Sequence, residues 1–164
     1  MCVDTTLQQM SIVDNLPSFK VNAGPMDPLW QERLKEELTA LIDLVETNTA
    51  NDKDWFDVQP IDDSGVRWDG TCWIIYEHKK YTFKVQFEIP ATYPATPIEI
   101  ELPELDGKTA KMYRGGKICL DIHFAPLWRS MVPKYGVVHS LCYALGPWLA
   151  AEIPYLVESG VIVK

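Results

Sequence analysis

The chain has little positive charge. Fifteen lysines and arginines stand against 23 aspartates and glutamates among its 164 residues, which gives a net charge of −8. A protein that binds the phosphate backbone of a nucleic acid needs clustered basic residues, and no such cluster is visible in this sequence. We therefore expect no nucleic-acid partner.

Long apolar runs are also absent. No stretch reaches the ~20 apolar residues that a membrane-spanning helix needs, and the first 19 residues lack the basic and apolar regions of a secretion signal. We therefore expect no direct membrane insertion and a location in the cytoplasm, with the nucleus as an open second location. Thiols stay reduced in such compartments.

Cysteine is scarce and irregularly spaced. The four cysteines are Cys2, Cys72, Cys119 and Cys142. Because none belongs to a CxxC pair, the pattern argues against a disulfide framework and against a structural zinc site. His78 and His139 have no partner at ligand spacing either, so we expect no bound metal.

The length of the chain favours one domain, and its 47% hydrophobic content is enough for a core. Residues 1–26 are weakly patterned and are predicted to form an N-terminal extension, in which Leu7 and Met10 could line a short helix. Residues 27–164 are predicted to form the folded domain. We expect the protein to be a monomer.

The first long helix is predicted to begin at Asp27-Pro28, because aspartate is a favoured N-cap and proline suits the first helical position. Apolar residues then recur at spacings of three and four, which defines one buried face. These residues are Trp30, Leu34, Leu38, Leu41, Ile42 and Val45. Charged residues, including Arg33, are placed on the other sides, and residues 48–54 should end the helix.

Four strands are predicted after this helix, in an antiparallel meander because their connections are short. The candidates are residues 55–59, 66–68 with 71–77, 81–89, and 98–102. Residues 81–89 carry the clearest signal, since apolar and polar side chains alternate there with a period of two. Asp69-Gly70 favours a tight hairpin turn.

Residues 103–133 show little periodicity. An irregular loop of about thirty residues in a compact domain is usually functional or disordered, and the apolar Phe124, Leu127 and Trp128 argue for order. A second helix is predicted over residues 137–152, with a kink at Gly146-Pro147. The layout is therefore α+β, a helix packed on an antiparallel sheet, with Cys119 in the long loop.

Two motifs resemble those of ubiquitin-conjugating enzymes. IPATYPATP, residues 89–97, is similar to the proline-rich turn after that family's third strand, and GKICLDI, residues 116–122, is similar to its active-site segment. The resemblance covers residues 27–152. It implies the family's fold: a long N-terminal helix, a four-stranded meander, an active-site loop and a following helix. It also implies that Cys119 is the active-site cysteine.

The residues before Cys119 narrow the resemblance. Most ubiquitin-conjugating enzymes carry His-Pro-Asn there, with the asparagine eight residues before the cysteine, whereas this chain has Thr109-Ala110-Lys111. That tripeptide, LDGKTAKMYRGGKICL around it, the later GPWLAAEIP and the shortened C-terminus resemble conjugating enzymes for the ubiquitin-fold modifier. The chain departs from this subfamily at Asp121-Ile122, where Thr-Asp is expected. It departs again at Ala125, where a lysine is expected whose role cannot be carried over.

The chemistry implied for Cys119 is thioester exchange. A thiolate attacks an existing thioester, and the product thioester stays reactive toward amines, so no strong neighbouring base is needed. Hydrolysis is the alternative chemistry, but a cysteine hydrolase needs an adjacent histidine and an orienting group. His123 lies four residues on, and spacing in a loop does not indicate contact. A redox thiol would need a resolving cysteine.

Lys111 and Thr109 are the other candidate catalytic residues. By the resemblance, Lys111 occupies the asparagine position and could donate to the oxyanion that forms when an amine attacks. Alternatively, its side chain points to solvent. Thr109 could hold the loop through side-chain hydrogen bonds. Arg114 and Lys117 are interpreted as solvated charges, although they could lower the pKa of the thiol or guide the modifier's tail.

The resemblance implies four protein partners: the ubiquitin-fold modifier, its activating enzyme, its ligase and the target proteins. The activating enzyme would consume the ATP, so no cofactor is expected. The implied partner surfaces are residues 29–35, 93–96 and 125–129, and Trp128 is expected to fill the core beneath the loop. Two alternatives stay open, a conjugating enzyme for a different ubiquitin-like protein and a non-catalytic adaptor of the same fold, which typically lacks the cysteine.

Overall fold

The computed structural model describes residues 16–120 and 122–164. In chain order the elements are α1 (Trp30–Ala50), β1 (Phe56–Pro60), β2 (Arg67–Tyr76), β3 (Lys79–Glu88), a 3-10 helix (Pro103–Leu105), β4 (Met112–Tyr113), β5 (Lys117–Ile118), α2 (Phe124–Met131), α3 (Val137–Ser140), a π-helical turn (Leu141–Leu145) and α4 (Gly146–Glu158). The predictions for Cys2, for a short helix near the N-terminus and for Asp121 fall on residues outside this description.

Helix α1 begins two residues later than predicted. The carboxylate of Asp27 accepts the Gly24 backbone N–H at 2.6 Å, and the Asp27 carbonyl accepts the Trp30 N–H at 3.1 Å. Asp27 therefore closes a turn before the helix instead of capping it, and Leu29 is the N-cap. The Asp27 carboxylate bonds to the turn rather than to the first turn of the helix, because short polar side chains readily form hydrogen bonds with nearby backbone.

The buried face of α1 also differs from the predicted one. Ile42 is 56% exposed, whereas Arg33 and Glu37 are buried with Trp30 and Leu34. Burial of a charge is tolerated only where partners replace water. Such partners come from segments distant in sequence, so helical periodicity could not have indicated them.

The main sheet consists of β1, β2 and β3 in that order, all antiparallel. The predicted hairpin turn at Asp69-Gly70 is wrong, because β2 runs through it without interruption. Glycine is needed there for another reason: a Cβ on Gly70 would lie 1.9 Å from the Asp57 carbonyl oxygen of β1. The turn between β2 and β3 is formed by Glu77 and His78, whose φ angles are 49° and 66°.

The predicted fourth strand is only partly realised. Residues 98–102 do not form a continuous ladder; Glu101 bridges to Gln86 of β3 on one side and to Lys117 of β5 on the other. The backbone hydrogen bonds between Gln86 and Glu101 are 3.0 and 2.9 Å. This segment connects the main sheet to the small β4–β5 hairpin, and so to the region of Cys119.

The second half of the chain is more regular than predicted. Residues 103–133 contain the 3-10 helix, the β4–β5 hairpin and α2. The last helix extends to Glu158, beyond the predicted end at residue 152. A π-helical turn directly precedes Gly146-Pro147, which is the irregularity expected from a proline without an N–H.

A single hydrophobic cluster joins the helices to the sheet. Helix α1 contacts α3, and α4 contacts β2. Trp128 is fully buried, which confirms that it fills the core beneath the loop. The α+β architecture is therefore as predicted. Of the helices within residues 16–120 and 122–164, none combines the length and apolarity required to cross a membrane.

Candidate active site

A short β-hairpin presents Cys119. Strands β4 and β5 pair Met112 with Ile118, and the Cys119 N–H donates to the Lys111 carbonyl at 3.0 Å as the next step of the same ladder. The turn runs through Gly115 and Gly116, whose φ angles are +88° and +86°. Glycine adopts such angles without steric cost, so this sequence can return sharply and set the cysteine at the hairpin's end.

Cys119 differs from the other described cysteines in its surroundings. Its side chain is partly exposed beside the hairpin, whereas Cys72 is buried in the core and Cys142, also partly exposed, packs against the hydrophobic cluster from the π-helical turn. Burial raises the pKa of both Cys72 and Cys142 to about 12, with the Glu104 charge contributing at Cys72. Both thiols stay protonated near neutral pH, and the thiolate is the nucleophilic form. Cys72 and Cys142 are therefore structural, as expected.

Side chains of helix α4 form hydrogen bonds with the segment before Cys119. The Thr109 hydroxyl donates to Glu152 Oε1 at 2.5 Å and accepts the Lys111 N–H at 3.1 Å. Trp148, one turn before Glu152, donates its indole N–H to the Lys111 carbonyl at 3.0 Å. That carbonyl is the one that accepts the Cys119 N–H. The Thr109 hydroxyl and the backbones of Lys111 and Cys119 therefore form one hydrogen-bonded unit that is bound to α4.

The structure brings the three predicted site residues together, with different roles for their parts. The hydroxyl of Thr109 is engaged in the loop, which agrees with the bracing interpretation. The backbone of Lys111 is engaged on both sides, while its side chain is exposed beside the hairpin.

Trp148 and Glu152 were missed as site residues by sequence reasoning. They lie four residues apart, and residues at that spacing share one face of a helix. Both belong to GPWLAAEIP, whose likeness to the subfamily was noted without a structural reason. The spacing of an indole donor and a carboxylate acceptor on a core-facing helix was the available signal.

Tyr113 was also missed. Its hydroxyl oxygen lies 3.6 Å from Cys119 Sγ, and its side chain is 63% exposed. The pKa of Tyr113 is raised, first by the hydrogen bond to Cys119 and then by the negative charge of Cys119 in its thiolate form. The Gly115-Gly116 pair inside an otherwise extended segment could have predicted the hairpin that brings the two side chains together.

The other charged candidates lie on the surface. Arg114 is exposed at the hairpin turn, and Lys117 Nζ lies 2.8 Å from Glu99 Oε2 in an exposed ion pair. The Glu99 carboxylate raises the pKa of Lys117 through its hydrogen bond and its charge. His123 is exposed immediately before α2. Within the described parts of the chain, no group of three or more His, Cys, Asp or Glu could hold a metal ion.

Buried hydrogen bonds connect the three predicted partner surfaces. Tyr93 donates its hydroxyl to Glu37 of α1 at 2.6 Å, and the indole N–H of Trp128 in α2 donates to the Pro94 carbonyl at 2.7 Å. Arg33 of α1 donates to the carbonyls of Pro133 and Tyr135 at 2.7 Å each. These bonds tie α1, the Tyr-Pro turn and the segment after Cys119 to one another.

The fold and this site define a class. An N-terminal helix, an antiparallel meander and a partly exposed cysteine on a braced loop before a final helix are the parts of a ubiquitin-conjugating enzyme. The structure is similar to that of the ubiquitin-conjugating enzyme Pex4p from H. polymorpha, solved in complex with the soluble domain of Pex22p. The TM-score is 0.51 at 19% identity, over 79% of this chain and 88% of that one, which supports the fold alone.

Sequence comparison assigns the family. The family model described as Ubiquitin-fold modifier-conjugating enzyme 1 matches residues 9–163. Curated proteins of that name are 53% identical in Arabidopsis thaliana, over 93% of this chain and 88% of that protein, and 55% identical in Mus musculus, over 92% and 90%. The chain belongs to the family of ubiquitin-fold modifier-conjugating enzymes.

Membership confirms the predicted activity. The protein is a conjugating enzyme of the ufmylation pathway, a cysteine-dependent transferase. An enzyme of this family works with an activating enzyme, a ligase and the modifier. The family assignment leaves no support for the alternatives of a different modifier or a non-catalytic adaptor.

Proposed function

We propose that Cys119 is the residue that carries the modifier. The Cys119 thiolate attacks the carbonyl carbon of the thioester that joins the modifier to its activating enzyme, and the activating enzyme's cysteine leaves as a thiolate. A lysine amine of the target then attacks the new thioester. The bond between carbon and Cys119 sulfur breaks, its electron pair returns to sulfur, and the amine's proton passes to solvent.

The observation that carries this proposal is the accessibility of Cys119 on a braced backbone. An acyl carrier must meet two partners in turn, so its thiol has to be reachable. Cys72 is buried, Cys142 packs against the hydrophobic cluster, and burial keeps both thiols protonated to high pH. Thioester exchange asks for no strong base, because a few per cent of an ordinary thiol is ionised near neutral pH.

Lys111 and Thr109 take different parts in the proposed reaction. When the amine attacks, negative charge develops on the carbonyl oxygen, and the Lys111 ammonium is the proposed donor to it. The flexible side chain reaches this oxygen from a fixed backbone. Thr109 acts as a positioning residue, since its hydroxyl contacts Glu152 and the Lys111 N–H rather than any reacting atom.

The partner surfaces of the proposal are residues 29–35, 93–96 and 125–129. They meet at one buried network, in which Glu37 accepts from Tyr93 and Trp128 donates to Pro94. Leu29 and Leu127 are 50% and 41% exposed at its edges, which gives apolar area for contact with an activating enzyme or a ligase. Lys117 and Arg114, beside the cysteine, are placed to guide the modifier's C-terminal tail.

The proposal includes no cofactor, because the activating enzyme consumes the ATP and forms the first thioester. The protein is proposed to act as a monomer in the cytoplasm, with the nucleus as a second location. The free thiols of Cys72, Cys119 and Cys142 suit a reducing compartment.

A loading assay tests the site. The protein is incubated with modifier, activating enzyme and ATP, and the products are separated on a gel without reductant. We expect an adduct that a thiol reductant removes. Cys119→Ser should give a reductant-resistant ester or no adduct, and the matched control Cys142→Ala should load like the parent. If Cys119→Ala still forms the labile adduct, Cys119 is not the carrier.

A further inference from the structure

A tyrosine hydroxyl stands beside the reactive sulfur. Tyr113 Oη lies 3.6 Å from Cys119 Sγ, within hydrogen-bonding distance for sulfur. The side chain is 63% exposed, so the ring is not held there by burial in the core. We propose that Tyr113 is a catalytic residue, whose hydroxyl donates a hydrogen bond to the Cys119 sulfur when it carries negative charge. This inference rests on the proposed role of Cys119.

The backbone fixes the pairing of these two side chains. Tyr113 pairs with Lys117, Met112 pairs with Ile118, and the Cys119 N–H reaches the Lys111 carbonyl at 3.0 Å. Tyr113 and Cys119 are therefore diagonal neighbours across a hairpin, a relation within reach of aromatic side chains. The Lys111 end of this hairpin is in turn held by Trp148. The hydroxyl meets the sulfur because the ladder brings it there.

The direction of the hydrogen bond depends on the state of the sulfur. In the free thiol, the S–H donates to the tyrosine oxygen. In the thiolate, sulfur has only lone pairs, so the tyrosine O–H must donate. Hydrogen bonds to a charged acceptor are roughly twice as strong as neutral ones. The interaction therefore favours any state in which Cys119 sulfur is negative.

The two steps of the reaction use that state differently. During discharge, the tetrahedral adduct expels Cys119 as a thiolate, and a donor to the leaving sulfur stabilises the transition state directly. During loading, the same donor raises the thiolate fraction but lowers its nucleophilicity, and these effects partly offset each other. Loss of the Tyr113 hydroxyl should therefore slow discharge more than loading.

The raised pKa of Tyr113 agrees with this geometry. Its first cause is the hydrogen bond to Cys119, and its second is the negative charge of Cys119 in its thiolate form. A tyrosine that keeps its proton beside a thiolate stays a donor throughout the working pH range. The distance and the hairpin register, rather than the pKa, carry the assignment.

The first experiment needs no modifier. The alkylation rate of Cys119 by iodoacetamide is measured against pH in the isolated protein, with Cys119→Ala as the background. Tyr113→Phe removes only the hydroxyl, and we expect the midpoint to rise by about one to two units, the size of one hydrogen bond to a charged group. The control is Tyr155→Phe, which removes the hydroxyl of an exposed tyrosine far along the chain, on α4. It should leave the midpoint unchanged.

The second experiment separates the two steps. Preloaded enzyme is mixed with free lysine, and we expect discharge of Tyr113→Phe to fall about threefold to tenfold, while loading changes less than twofold. An unchanged alkylation midpoint, or equal effects on loading and discharge, would overturn the role of Tyr113. Failure of the Cys119 assignment has a different signature, a labile adduct on Cys119→Ala.

Discussion

Thr109 and Glu152 are joined by a hydrogen bond of 2.5 Å between the threonine hydroxyl and carboxylate oxygen Oε1. One residue lies in the loop before Cys119, and the other lies on α4, 8% exposed. Together with the bond from Trp148 to the Lys111 carbonyl, it fastens the loop to the last helix. The position of the cysteine therefore depends on a helix that follows it by about thirty residues.

Removal of the Thr109 hydroxyl should destabilise the protein. Thr109→Val keeps the shape of the side chain but leaves the Glu152 carboxylate and the Lys111 N–H without this partner. A buried polar group that loses its partner costs about 1–3 kcal/mol. We expect a loss of that size in the free energy of unfolding, measured by urea denaturation, and slower discharge of the loaded enzyme.

Thr109→Ser is the matched control, because it removes a methyl group and keeps the hydroxyl. It should retain most of the stability and most of the discharge rate. Valine and serine variants with the same free energy of unfolding would contradict a role for the Thr109–Glu152 bond.

Lys111→Ala tests the proposed oxyanion donor. The substitution leaves the Lys111 carbonyl and N–H in place, so the hairpin and its bonds to Trp148 and Thr109 should persist. We expect the activation barrier for discharge to a free amine to rise by about 3 kcal/mol, the usual effect of deleting one such donor. The rate of loading should change less. The measurement compares single-turnover discharge with the rate of thioester formation.

Lys108→Ala is the control for loss of one positive charge in the same loop, since Lys108 is exposed. It should discharge at nearly the parental rate. If Lys111→Ala also discharges at the parental rate, Lys111 has no part in the chemistry and contributes to the site through its backbone alone.

The two turn glycines should differ in their tolerance of alanine. Both have φ near +90°, where an L-residue costs about 1–2 kcal/mol. A Cβ on Gly115 would meet no atom within 4 Å, whereas a Cβ on Gly116 would lie 2.7 Å from the Leu102 carbonyl oxygen. Gly116→Ala should therefore lose more stability than Gly115→Ala, by an additional ~1 kcal/mol or more, and should slow the alkylation of Cys119. Equal losses would mean that backbone strain alone decides.

His139 should make the protein sensitive to acid. Its Nδ1 accepts the Gly136 N–H at 2.9 Å, and burial lowers its pKa from 6.5 to about 4. Between these values the unfolded chain binds a proton that the folded chain does not, so the free energy of unfolding falls as the pH falls through this window. The full contribution is present above pH 6.5, and its loss amounts to about 3 kcal/mol.

Glu37 has the opposite sign. Burial raises its pKa from 4.5 to about 7, against the lowering effects of Arg33 and Tyr93. The folded chain then binds more protons than the unfolded one between these values, and the free energy of unfolding rises as the pH falls. The two groups partly cancel in the parent, so urea denaturation of His139→Gln and Glu37→Gln from pH 4 to 8 should reveal opposite slopes relative to the parent. Curves parallel to the parent in both variants would contradict these assignments.

The proposed active-site cysteine could be singled out from the sequence because the evidence for it is local. The motifs are continuous in sequence: GKICLDI, the tripeptide that ends eight residues before the cysteine, and the Tyr-Pro turn. The alternation in residues 81–89 identified β3. Helical periodicity placed α1 and the last helix, within a few residues at their ends. These features depend on neighbours in sequence, and a sequence displays its neighbours directly.

The predictions that were wrong concern features that depend on contacts between distant segments. Asp69-Gly70 suggested a turn, but β1 needs the glycine for close approach. Arg33 was predicted to lie on a charged side of α1, but it is buried because the carbonyls of residues 133 and 135 accept its hydrogen bonds. The buried Glu37 finds its partner in Tyr93.

The sequence by itself therefore determined the family and the class of fold, and it singled out Cys119 as the proposed acyl carrier. The tertiary structure decided how that cysteine is held and which side chains lie beside it. Trp148 and Glu152 contact the loop from α4. Tyr113 contacts the sulfur across a hairpin for which the glycine pair was the one indication in the sequence. The physical reason is that a hydrogen bond needs two groups within about 3 Å, or somewhat more for sulfur. Chain separation carries no information about that distance until the core has packed.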